Sequence, residues 1–206
     1  MKGFIVFEGV DGSGKGLQMA KLKEYLLQTN QKAVFTREPG GGKISEDIRK
    51  VIKDKDNGNM TDLCELLLFE AARNQHLHDV ILPNADKLVI SDRYYLSTLA
   101  YQGYGRGIDL QIINAANKIA TQGVDPECIV FLDVPAEVGA ARNNSHPEKI
   151  DRIELAGNSF MSKVYNGYKE VIKQNPEQWL VLDGTKNPDA VFEDLITGLR
   201  ERKIIK

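Results

Sequence analysis

At 206 residues the chain has room for one domain, or one domain with a flap. An apolar fraction of 42% is ordinary for a soluble globular protein, and a net charge of −2 excludes the global basic field that gathers nucleic acid. No apolar run is long enough to span a bilayer, whereas a small anionic ligand needs only local positive charge and stays allowed.

Along the chain, short apolar runs alternate with longer amphipathic stretches. The runs cover residues 3–7, 33–35, 88–90, 129–132 and 180–182. Continuous apolar runs suit strands buried on both faces of a parallel sheet. The segments between them are long enough for crossover helices. Helices are predicted over 14–29, over 61–82 with Pro83 as the stop, and over 109–122 with Gly123 closing. Asn187, Pro188 and Asp189 open a last helix with a cap residue and a first-turn proline. Its apolar stripe is Val191, Leu195 and Leu199. Residues 54–59 and 143–147 are polar breaks between helical stretches, and the second suits the tip of a moving flap. The expected fold is α/β: a doubly wound, five-stranded parallel sheet with helices on both faces. The first residues hold one lysine and then an apolar strand, without the h-region of a signal peptide, so the expected location is cytoplasmic.

Cys64 and Cys128 match no metal or redox spacing and are expected as reduced thiols packed like small hydrophobes. His76, His78 and His146 lack a ligand pattern and are expected to be solvated, with no metal site.

The chemistry begins after the first strand. Gly9, Val10, Asp11, Gly12, Ser13, Gly14 and Lys15 make the G-x-x-x-x-G-K core of a P-loop in the required strand–loop–helix setting. Its glycines let successive N–H groups turn inward as an anion nest, and the next helix adds its positive end. Lys15 reaches the β and γ phosphates of a nucleoside triphosphate. A Ser or Thr hydroxyl that binds Mg²⁺ normally follows the lysine, but here Gly16 and Leu17 stand there. Metal binding then falls to Ser13, to waters, or to a carboxylate elsewhere. Asp92, at the end of the third strand, is placed for that task or for capping the helix from Tyr94. Arg93 puts a phosphate-binding cation beside it.

An acceptor needs its own anion site, and Arg37, Arg49, Arg73 and Arg93 are candidates. Arg37 precedes a loop that is stiff at Pro39 and flexible at Gly40–Gly42. Phe69 and Arg73 are four apart and share a helix face, an aromatic beside a guanidinium that suits a nucleobase. Ser97 with Tyr101, and Thr98 with Gln102, form a second polar and aromatic face.

The ordered motifs are Phe7-Glu8-Gly9-Val10-Asp11-Gly12-Ser13-Gly14-Lys15, Thr36-Arg37-Glu38-Pro39-Gly40-Gly41, Phe69-Glu70-Ala71-Ala72-Arg73, Asp92-Arg93-Tyr94, Ser97-Thr98-Leu99-Ala100-Tyr101-Gln102-Gly103 and Asp151-Arg152-Ile153-Glu154. With them the sequence resembles the thymidylate kinase family over nearly its whole length. The resemblance implies a P-loop nucleotide-kinase fold with a short mobile lid near 142–152, ATP-dependent phosphorylation of dTMP to dTDP with Mg²⁺, and a homodimer. It implies that Phe69 stacks on thymine, Arg73 binds its carbonyl edge, Arg49 and Arg93 hold the dTMP phosphate, and Thr98 and Gln102 lie at the base. Tyr101 would favour the deoxy sugar, Asp11 would meet the 3′-hydroxyl or the metal region, and Asp92 would orient metal-bound water and phosphate. Relatives whose P-loop lacks an arginine usually carry several in the lid. This lid offers Arg142, Lys149 and Arg152, with Lys149 a point charge rather than a fork. A kinase for another pyrimidine monophosphate stays open as the nearest alternative, and Gly16, Leu17 and that thin lid keep open a nucleotide-binding protein with little kinase activity.

Overall fold

Each apolar run becomes a strand, and every strand extends one or two residues further at its carboxyl end than the apolar run itself. In the computed structural model, which describes residues 1–143 and 151–206, they are β1 (Phe4–Glu8), β2 (Ala33–Arg37), β3 (Leu88–Asp92), β4 (Cys128–Asp133) and β5 (Trp179–Asp183). The added terminal residues are polar or charged, because strand ends face a crevice rather than the core. The sheet is parallel throughout, in the spatial order β2-β3-β1-β4-β5. The chain builds one side of β1, then crosses from β3 over β1 to β4. That reversal opens the ligand crevice at the carboxyl ends of the central strands.

Alternation along β1 divides the core in two. Ile5 and Phe7 pack with α1 (Lys15–Gln28) and α8 (Pro188–Glu201), where Val191, Leu195 and Leu199 are buried as the stripe predicted. Phe4 and Val6 meet Leu77, Ile81 and Tyr94 on the opposite face, and on that same side Phe131 of β4 meets α7 (Gly157–Gln174) at Tyr168. Burial on both faces holds for β1 and the body of β4. It fails at the edges: every residue of β2 is at least partly exposed, and Val181 of β5 is 44% exposed. An edge strand has a neighbour on one side only, so its cover is incomplete.

The remaining helices are α2 (Lys43–Lys53), α3 (Asp62–His76), α4 (Tyr95–Thr98), α5 (Leu110–Thr121) and α6 (Ala136–Asn143). Thr61 caps α3 by accepting from the Cys64 N–H at 3.2 Å, and Asn187 caps α8 by accepting from the Asp189 N–H at 2.9 Å. The stretch after α3 widens through Leu77–Ile81 and ends at Leu82–Asn84, where Pro83 removes a donor. α4 widens in the same way over Leu99–Gly105.

Two expectations are corrected. His76 is not solvated: it is fully buried, bridging the Glu38 carboxylate at 2.9 Å and the Thr36 hydroxyl at 2.7 Å. A buried carboxylate needs donors, and the imidazole supplies one. Cys64 is exposed in the first turn of α3, whereas Cys128 packs in the core as expected. Among the described residues no helix is long and apolar enough to cross a membrane. Lys149, His146 and the middle of the expected lid fall at 144–150, outside the described residues.

Candidate active site

Glu8 ends β1, and the chain turns through Gly9–Gly14 before α1 begins at Lys15. Gly14 precedes α1 without a side-chain cap, so the first-turn N–H groups point into the loop. Gly12 has φ 77°, and a Cβ there would run into the Gly139 carbonyl of α6. The loop thus lies flat against α6 because position 12 lacks a side chain. Left-handed strain of about 1–2 kcal/mol plus overpacking of about 1–3 kcal/mol is expected to destabilise Gly12→Ala by roughly 2–5 kcal/mol in urea denaturation. Wild-type stability would show that loop and helix do not need this approach.

Lys15 is buried, and its Nζ donates to the Gly9 and Val10 carbonyls at 3.0 and 3.1 Å. Burial, reinforced by the charge of Arg93, lowers its pKa. A lysine held this way gains from an anion that joins it in the nest. The Ser13 hydroxyl beneath it is buried without a hydrogen-bond partner.

In front of the loop lies a cavity of about 570 Å³, in the range of small-molecule sites. Its walls include Asp11, Gly12, Gly14, Lys15 and Gly16 from the loop, and Arg37, Pro39, Arg49, Phe69, Arg73, Asp92, Arg93, Thr98, Tyr101 and Gln102. Residues far apart in the chain meet there because the carboxyl ends of β1, β2 and β3 converge with faces of α2, α3 and α4. Gly9, Val10 and Ser13 lie behind this wall.

Arg93 occupies its centre. Its backbone is left-handed, φ 73°, a strained state for a non-glycine residue. Nη2 donates to Asp11 at 2.6 Å and to the Tyr101 hydroxyl at 2.9 Å. Nη1 donates to the Ser97 and Tyr168 hydroxyls, both at 3.1 Å. Burial alone would raise the Asp11 carboxyl, but Arg93, Lys15 and the bonds from Arg93 and Tyr101 outweigh it and hold it well below the usual carboxylate range. Asp92 makes no capping bond to α4, and its buried Oδ1 has no hydrogen-bond partner.

Arg73 anchors the deep end. It is 2% exposed and donates to Glu38 at 2.8 Å, Glu70 at 2.5 Å, Asn117 at 3.2 Å and the Tyr94 carbonyl at 3.3 Å. Phe69 sits one turn earlier on the same face of α3. Gln102 donates its Nε2 to the buried Glu65 carboxylate at 2.8 Å, and Thr98 Oγ1 is buried without a partner. Arg49 donates to the Pro39 carbonyl at 2.7 Å, and Arg37 pairs with Glu46 at 3.0 Å. Burial and the charge of Arg37 lower the Arg49 pKa, so this end of the cavity favours an anion.

The arginines expected in the lid lie elsewhere. Arg142 donates to the Gly184 carbonyl at 3.1 Å and reaches the Gly12 carbonyl at 3.5 Å, outside the cavity wall. Arg152 is buried, donating to Glu65 at 2.5 Å and to the Ile52 carbonyl at 2.8 Å. Glu65 therefore holds Arg152, Arg106 and Gln102 together. Sequence reasoning missed Glu65 and Lys53 and named Glu38 and Asp151 only as motif members; Glu38, Lys53 and Asp151 line the cavity. The signal for Glu65 was an acidic residue on the buried face of an amphipathic helix.

Glu154 is half-buried. Burial, with repulsion from Asp11 and Asp151, pushes its carboxyl from an ordinary 4.5 up to about 7. The folded state then binds more protons than the unfolded state between those values, so this group weakens stability as pH rises through the window. Glu154→Gln is expected to raise the melting temperature at pH 8 and leave it unchanged at pH 4. An equal gain at both pH values would dismiss titration as the cause.

Among the described residues no group of three or more His, Cys, Asp or Glu side chains could hold a metal by itself. Asp92, in the cavity wall, offers an unpartnered oxygen, which fits an ion carried mainly by nucleotide phosphates.

These features coincide with known proteins. The thymidylate kinase family model matches residues 7–195. The chain is 40% identical to the thymidylate kinase of Finegoldia magna over 205 residues, covering 98% of this chain and 100% of that one. It is 41% identical to the thymidylate kinase of Kosmotoga olearia over 195 residues, covering 94% and 93%. The crystal structure of thymidylate kinase from Ehrlichia chaffeensis superposes with a TM-score of 0.76 at 34% identity, covering 96% of this chain and 97% of that one. A P-loop at the end of the central strand, a guanidinium-rich cavity before it, and similarity along the whole chain agree, and the chain belongs to the thymidylate kinase family.

Proposed function

We propose that this chain transfers the γ-phosphoryl group of ATP to dTMP, giving ADP and dTDP, with Mg²⁺ as the accompanying ion. The observation that carries this is the single cavity in which the P-loop lysine, a buried arginine beside an aromatic, and Arg93 face one another. A donor triphosphate, a base and an acceptor phosphate each find matching chemistry within it. Family membership and the curated relatives support the same activity.

In this reading Gly9–Gly16 and Lys15 cradle the ATP phosphates. Phe69 stacks on the base and Arg73 donates to its carbonyl edge. Thr98 offers its unpartnered hydroxyl, and Gln102, its amide nitrogen committed to Glu65, offers an oxygen to a base N–H. Arg49 and Arg93 bind the acceptor phosphate, with Arg37 and Pro39 closing the rim. Tyr101, packed under Arg93, blocks the space of a 2′-hydroxyl, and Asp11 meets the 3′-hydroxyl. Asp92, in the cavity wall, is the side chain that would hold Mg²⁺, which when bound would neutralise charge on the transferred phosphoryl group. Transfer is in-line, and the protein supplies positioning and charge rather than covalent chemistry. No general base is required, since the nucleophile is already a phosphate oxygen. Arg142 and Arg152 serve as transition-state cations only after leaving Gly184 and Glu65, and Lys149 is the third such group.

The chain is proposed to act as one domain in the cytoplasm and to pair as a homodimer. Leu63 and Leu67 on α3, with Ile112 and Ile119 on α5, are half or more exposed, and these two helices pack side by side. Sedimentation tests the pairing. The activity is tested by ADP release across dTMP, dUMP and other nucleoside monophosphates while Mg²⁺ is titrated. The expected result is turnover that needs the ion and is fastest with dTMP. A different best acceptor would overturn the substrate, and binding of ATP and dTMP without turnover would overturn the reaction.

A further inference from the structure

Behind Arg93 stand a carboxylate and a phenol that touch neither the cavity nor, in the proposed reaction, any ligand. Glu8 is the last residue of β1. Alternation turns it to the face of Phe4 and Val6, away from α1, and it is fully buried. Its Oε1 accepts the Tyr94 N–H at 3.0 Å. Its Oε2 accepts the Ser97 hydroxyl at 2.6 Å and the Tyr168 hydroxyl at 2.7 Å.

Each of these hydroxyls has one proton and can accept as well as donate. With both protons directed to Glu8, Ser97 and Tyr168 present lone pairs on their other sides. Arg93 Nη1 lies 3.1 Å from both oxygens and donates to them. The opposite nitrogen, Nη2, is held by Asp11 and by Tyr101, whose own proton goes to Asp11 at 3.0 Å. The guanidinium is thus gripped at both ends on a strained backbone. The grip joins the strand that carries the P-loop, the end of β3, and α7.

We propose that Glu8 and Tyr168 are positioning residues for acceptor binding: Glu8 sets the hydrogen-bond polarity of the Ser97 and Tyr168 hydroxyls, and these hold Arg93 aimed at the acceptor phosphate. The proposal rests on the reading of Arg93 as the cation for that phosphate. It deepens that reading by naming what orients the cation.

The test compares calorimetric binding of dTMP with that of thymidine, which lacks the phosphate. Tyr168→Phe removes one oxygen and keeps the ring against Phe131, 5.2 Å between centroids. Ser97→Ala and Glu8→Gln probe the same grip, and Ser97→Ala stands in should Tyr168→Phe fold poorly. Arg93→Gln serves as the reference. The expected result is an approximately 10-fold weaker dTMP affinity in Tyr168→Phe, with thymidine affinity and the KM for ATP within about twofold, because less than one full charge-assisted contact is lost. If Arg93→Gln loses the advantage of dTMP over thymidine and Tyr168→Phe and Ser97→Ala both keep it, positioning is overturned while the reading of Arg93 stands. If Tyr168→Phe weakens both ligands equally, its role is structural and positioning is again overturned. If Arg93→Gln keeps the full advantage, the reading of Arg93 fails and the proposal falls with it.

Discussion

Arg93→Ala is expected to lower kcat/KM for dTMP by about 10²- to 10⁴-fold. Two charge-assisted contacts to a phosphate are each worth roughly 1.5–3 kcal/mol, and each 1.36 kcal/mol is tenfold in rate. The position amplifies the loss. Arg93 sits with a side chain 15% exposed and gathers Asp11, Ser97, Tyr101 and Tyr168 around itself. Its removal leaves Asp11 with Lys15 as the cation next to it, so Lys15 is drawn toward a carboxylate rather than toward ATP. The KM for ATP should therefore rise as well, by less than the effect on dTMP. Steady-state kinetics with each substrate varied in turn measure both. A near-wild-type kcat/KM for dTMP would remove Arg93 from the site.

The largest stability effect is expected at Arg73. Its guanidinium is closed off from water between Glu38 and Glu70, both also buried. Burial alone would lower its pKa, and the two carboxylates more than reverse this. Arg73→Met preserves much of the volume and removes the charge. Breaking a buried ion pair by deleting one partner costs about 3–5 kcal/mol, because the other partner stays buried and unpaired. At about 2–4 °C per kcal/mol for a chain of this size, the melting temperature should fall by roughly 6–20 °C. Adding Glu70→Gln to Arg73→Met should restore part of the loss, since one orphaned charge disappears. A double variant no more stable than Arg73→Met would assign the loss to packing. Thermal unfolding read by circular dichroism gives all three values. In the proposed reaction, base recognition and fold stability therefore share one residue: the arginine offered to a nucleobase is held in place by acids that would destabilise the core without it.

The cavity residues were readable where chemistry and spacing are local. Lys15 and the glycines before it are consecutive, and a strand before and a helix after give them one meaning. Phe69 and Arg73 are one helical turn apart, so a shared face followed from the period of the helix. The lid arginines were not readable in this way. Arg152 looks from its motif like a free cation at a lid edge, yet its partner Glu65 is 87 residues away. His76 looked solvated because its partner, Glu38, lies 38 residues earlier in a glycine-rich loop. Exposure depends on what another segment supplies, and no window of sequence contains that.

The sequence by itself determined the five strands, the helix that carries the P-loop, the capped last helix and the identity of the phosphate-binding loop. These depend on hydrophobic period, caps and turn residues, which act over a few positions. Only the tertiary structure decided which of the many arginines face the cavity and which are tied elsewhere. It also decided that Glu8, 160 residues from Tyr168, turns inward to meet it. Parallel pairing brings Asp92 level with Phe7 and Arg37, and thereby sets Arg93 against Asp11, 82 residues apart. Such juxtapositions are set by sheet order and register, which emerge only when the two faces of β1 are buried together.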